Sequence, residues 1–70
     1  VKFLLIITMC SSIYQTCMPP VEVTPVYNSH YDCAVTGYSM SADILKNLGN
    51  EQVDKDRMYL SFVCKEVGSL

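Results

Sequence analysis

Apolar and polar positions divide this chain into four stretches. Phe3-Leu4-Leu5-Ile6-Ile7-Thr8-Met9-Cys10 is an almost unbroken apolar run ended by Ser11 and Ser12. A run of this length, rich in Ile and Phe, predicts a β-strand covered on both faces. At the other end, Met58, Leu60, Phe62 and Cys64 alternate with Tyr59, Ser61 and Val63. That period of two makes 58–64 the clearest strand in the chain. Residues 29–49 carry a helical period instead. Tyr31, Val35, Tyr38, Ala42 and Leu45 share one stripe, and Cys33, Gly37, Met40, Ile44 and Leu48 form a second beside it. More than half of the circumference is apolar or small, so a single sheet face is not enough to cover it. Asn28 or Ser29 is the expected N-cap and Gly49-Asn50 the expected C-cap, although Val53 continues the first stripe and allows the helix to reach about Asp54.

Between the first run and the helix, Pro19, Pro20 and Pro25 remove three amide donors, and residues 11–27 read as a long ordered loop. Residues 65–70 read as a frayed tail. The order strand, loop, helix, strand predicts an α/β fold: a minimal β-α-β unit, with one long helix packed on a two-stranded parallel sheet over the single small domain 1–70. Parallel strands bring Cys10 and Cys64 to the same end of that sheet. Cys17 and Cys33 lie in the loop and first helical turns near that end. The expected disulfides are therefore Cys10–Cys64 and Cys17–Cys33, among the three pairings four cysteines allow. Two strands leave exposed edges, which invite a dimer or a partner strand.

Length makes the cysteines matter. Seventy residues bury only about 60% of the unfolded surface, and chain entropy then nearly cancels the hydrophobic gain. Two disulfides at about 2–4 kcal/mol each restore a margin. Their number favours an extracytoplasmic or secreted location, with the cytoplasm as the alternative. The spacings match no CxxC redox motif and no zinc knuckle. A metal reading would use Cys17, Cys33 and Cys64 with His30; free buried thiols are the other alternative.

Charge removes whole function classes. Seven acids against five Lys and Arg give a net charge of -2, and the basic residues form no cluster. A phosphate-tracking or polybasic lipid surface needs several unopposed cations, so nucleic acid is not an expected partner. No cofactor motif is present, and no small-molecule substrate is identified. Asp43, Glu51, Asp54 and Asp56 lack the glycine and terminal glutamate of a calcium loop and read as a solvated face. His30, Asp32 and Cys33 permit the sketch of a thiol nucleophile with an imidazole base, but no oxyanion-stabilising element accompanies them. The chain reads as a non-enzyme.

The first run has a second reading. Lys2, the apolar run and the two serines also resemble a short secretory signal, with residues 1–12 removed. The run spans about eight residues where a membrane-crossing helix needs about twenty, so membrane contact is expected only if residues 3–10 act as a signal or anchor. Among the five tyrosines, Tyr27, Tyr31 and Tyr38 share a helical face. They are either core between helix and sheet or a binding face of rigid amphipathic rings.

Lys2-Phe3-Leu4-Leu5, Cys10-Ser11-Ser12, Cys17-Met18-Pro19-Pro20, Tyr31-Asp32-Cys33 with Gly37-Tyr38, and Tyr59-x-x-Phe62-Val63-Cys64 together cover residues 2–65. This ensemble resembles a family of very small uncharacterised cysteine-containing proteins from marine phage and environmental sequences. The resemblance implies a phage or bacterial source and a signal peptide at the start, and it carries over no activity. The function expected from the residues is that of a small accessory protein acting by protein binding or self-association, with an unknown protein or a second copy as partner. The alternative is an exported or membrane-associated protein whose N-terminus is the signal.

Overall fold

A computed structural model describes residues 1–68. The apolar run forms β1 (Lys2–Ser11), followed by β2 (Thr16–Cys17), β3 (Val21–Tyr27), helix α1 (His30–Leu48), helix α2 (Asn50–Asp56) and β4 (Met58–Val67). All pairing is antiparallel and every strand pairs with β1. β4 runs along its whole length, from Lys2 opposite Val67 to Ser11 opposite Met58. β2 and β3 must therefore share the other edge, β2 opposite Cys10 and Ser11, β3 opposite Phe3 to Ile7.

This corrects the minimal parallel β-α-β unit with two strands and one long helix. The stretch 11–27 is not a long loop. Val21-Glu22-Val23-Thr24 alternates as a strand does, and prolines are tolerated because β3 is an edge. Between Phe3 and Leu5 the pairing slips, and Thr24, Pro25 and Val26 bulge opposite Leu4, which accommodates Pro25 without interrupting the strand beyond it. The Thr24–Pro25 peptide is cis.

The additional strand reverses the direction of everything after it. β1 and β3 form a hairpin, so α1 starts beside the beginning of β1. Its nineteen residues, at about 1.5 Å each, carry the chain roughly 28 Å back to the far end of the sheet. β4 then enters opposite Ser11 and runs antiparallel. The expected tail is also shorter, since Lys65 to Val67 continue β4; residues 69 and 70 lie outside the described residues.

Local signals set the ends of the helices. The Ser29 hydroxyl accepts the Asp32 N–H at 3.1 Å, and Asp32 adds an acid to the first turn. Gly49, at φ 88°, ends α1, and its N–H donates to the Leu45 carbonyl at 3.2 Å. The apolar pattern reaching Val53 belongs to a second helix across this break. Arg57 closes α2 in the left-handed region at φ 50°. The Ser11 hydroxyl donates to the Asp56 carbonyl at 2.6 Å, fastening the end of α2 to the end of β1.

Leu5 and Ile7 of β1 and Cys33 of α1 form the buried cluster, with Phe3, Val23, Tyr27, Met40, Leu60, Phe62 and Cys64 packed around it. One face of the sheet carries the helix; the other carries Leu4, Ile6 and Thr8 beside Tyr59, Ser61 and Val63 with no layer over it among the described residues. The accessible surface of 4990 Å² exceeds the roughly 4,400 Å² that a chain of this mass exposes on average, as a one-sided sheet requires.

Candidate protein-binding edge and tyrosine face

All four cysteines are paired, but with different partners from those expected: Cys10 with Cys17 and Cys33 with Cys64. The cause is the antiparallel topology. Cys10 lies at the far end of β1, opposite Tyr59 on one side and Cys17 on the other. Cys64 lies beside Leu5, under the first turns of α1, where Cys33 points into the sheet. Cys33 is 0% exposed, so its bond to Cys64 ties helix to sheet inside the core. The thiol-nucleophile sketch and the Cys17, Cys33, Cys64 and His30 ligand set both lose their sulfurs to these bonds. His30 instead stacks its ring edgewise on Phe3, with centroids 5.7 Å apart.

The three tyrosines do not act as one group. Tyr27 ends β3 opposite Phe3 and packs against the core. Tyr31 and Tyr38 are 74% and 73% exposed, together with Val35 on the same stripe. The sheet takes the second stripe, Cys33, Gly37 and Met40, because glycine and cysteine let the helix approach closely. A Cβ at Gly37 would stand 2.5 Å from the Phe62 ring. Tyr38 leans its ring over the edge of Phe62, centroids 4.9 Å apart at 89°. Beside this pair lies a cleft of about 430 Å³ reaching His30, Ala34 and Ser61.

The two edges of the sheet differ more than its faces. The β3 edge is broken by the bulge, lacks the amide of Pro25, and is preceded by Pro19 and Pro20. The β4 edge runs for ten residues with no proline, glycine or bulge. Its backbone directions follow from the ladder. Ser12 N–H donates to the Arg57 carbonyl at 3.1 Å, which makes 12/57 a hydrogen-bonded pair. Such pairs alternate, so Tyr59, Ser61, Val63 and Lys65 bond to β1. The amides and carbonyls of Leu60, Phe62, Cys64 and Glu66 point away from the sheet, and no described strand pairs with them. The sequence points to exposed edges in general but does not separate this one, because three prolines give the other edge the pattern of a loop.

Among the described residues no group of three His, Cys, Asp or Glu side chains is placed to hold a metal ion, and no helix is long and apolar enough to cross a membrane. Comparison of the chain with protein-family models, with curated proteins and with solved structures finds no match.

Proposed function

We propose that this is a small non-enzymatic accessory protein that acts by self-association, adding the β4 edge of one copy to that of another. The observation that carries this is the contrast between the edges. An unpaired strand of ten residues is a template for main-chain hydrogen bonds, and natural proteins usually blunt such edges with proline, bulges or charge. Here β3 has those devices and β4 lacks most of them. Val63 and Tyr59, both exposed on the uncovered face next to this edge, supply apolar contact for the added strand. A strand from a different protein would use the same groups.

The test is amide hydrogen exchange across a concentration series. At low concentration Leu60, Phe62 and Cys64 exchange quickly while Ser61 and Val63 are protected by β1. As concentration rises the first three become protected and the sedimentation mass doubles. Val63→Lys, which places a charge beside the edge, shifts the transition to higher concentration. A chain that stays monomeric at millimolar concentration, with those three amides still fast, sinks the proposal.

The alternative, export with the N-terminus as a signal, is supported by the Cys33–Cys64 disulfide, since such bonds persist in oxidising compartments, whereas removal of residues 1–12 takes Cys10 away and leaves Cys17 without its partner. It carries a structural consequence: removal of residues 1–12 takes away β1, with which every other strand pairs. The intact mass of protein from its host distinguishes a full-length chain from one shortened by this segment.

A further inference from the structure

The C-terminal half of α1 does not close onto the sheet. Met40 and Ile44 form the roof of a groove of about 430 Å³, with Met9 and Leu60 in its floor and Met18 and Pro19 in its side wall; the remaining lining residues are valine and isoleucine of β1 and β3. From this groove we infer a binding site for a single uncharged aliphatic chain, such as the hydrocarbon part of an alcohol, ester or acyl group.

Three features select that occupant. The first is volume: an apolar cavity of about 150 Å³ suffices to hold benzene, and this groove is nearly three times larger. It falls within the range of small-ligand pockets, roughly 300–1,000 Å³. The second is the chemistry of the walls. Every lining side chain is apolar. A peptide or a strand of a second copy laid here would leave its own amides and carbonyls without partners, whereas a hydrocarbon has none to satisfy. The third is adaptability. Three of the four methionines, Met9, Met18 and Met40, line the groove, and their unbranched thioethers re-pack around irregular apolar shapes. Met58 lies outside the groove, in a smaller recess that it shares with Met9 and Met18. Leu60 belongs to β4, but its side chain lines the groove while its amide faces the edge, so the inference does not rest on pairing of that edge.

The experiment uses the 70-residue chain, both disulfides intact, with methyl-labelled methionine and valine, and titrates n-decanol. The methyl signals of Met9, Met18 and Met40 should shift together and saturate at one molecule per chain, while the methyl signals of Val63, on the uncovered face of the sheet, stay in place. Ile44→Lys should weaken binding by about tenfold or more, because its ammonium must be desolvated beside the chain. Val35→Lys, on the exposed stripe, should leave binding unchanged. Should Ile44→Lys not fold, the methionine pattern of the unaltered protein still decides. The inference is overturned if the three signals do not saturate, if the Val63 signals shift in parallel with them, or if a folded Ile44→Lys binds as tightly as the original. It is equally overturned if raising the protein concentration abolishes decanol binding, which would mean that a second copy fills the groove.

Discussion

The two halves of α1 meet the same sheet in different ways. The N-terminal half is clamped. Cys33 is bonded to Cys64, Gly37 lies against the Phe62 ring, and His30 rests on Phe3. The C-terminal half rests on flexible methionines across an open groove, and none of its residues is buried. In the first half small residues bring backbone and sheet into close-packed contact; in the second, Met40 reaches the core cluster and lines the groove with Ile44. One helix thus supplies both an anchor and a site that is free to re-pack.

Removing the clamp disulfide gives the largest expected effect. The double replacement Cys33→Ser with Cys64→Ser opens a loop of sequence separation 31 and should cost about 3.7 kcal/mol by the loop-entropy relation. Denaturant titration measures it, and a loss no greater than that at the hairpin disulfide would show that the clamp is not the stronger tie. Cys10→Ser with Cys17→Ser releases a separation of only 7, for about 2.4 kcal/mol. Its local effect should appear at the groove wall, since Met18 and Pro19 follow Cys17 directly; Met18 methyl relaxation reads this.

Gly37→Ala comes next. Overpacking against Phe62 costs about 1–3 kcal/mol, while alanine returns about 1 kcal/mol of helix propensity. A net loss of up to about 2 kcal/mol in unfolding free energy is expected. A gain would mean that the Phe62 ring moves aside freely and that the approach is not tight. Ser29→Ala removes the cap on the clamped end and should cost about 1 kcal/mol. The smallest effect belongs to the groove: Met40→Leu keeps the volume and should shift the thermal midpoint less than Ser29→Ala does, while reducing the range of chains accepted.

The strands at 3–10 and 58–64, the Ser29 cap and the Gly49 break are visible in the sequence because each depends on near neighbours: alternation, a hydroxyl three residues before an amide, a glycine where φ is positive. The candidate edge and groove are less visible. Val21, Val23 and Val26 mark β3, but three prolines obscure it, and an edge strand tolerates proline only because the other side of the ladder is satisfied, which is a tertiary fact. With β3 missing, the direction of β4 inverts and the cysteine partners exchange.

What the sequence determined by itself is therefore local: the two long strands at 3–10 and 58–64, the helical period between them, and the signals that start α1 at Ser29 and end it at Gly49. The tertiary structure decided which stripe of α1 meets the sheet, which cysteines pair, and which edge is left open. Both stripes are nearly equal in apolar character, so periodicity cannot rank them. The choice falls to Cys33 and Gly37, whose small size matters only when the Phe62 ring and the Cys64 sulfur arrive from the other end of the chain.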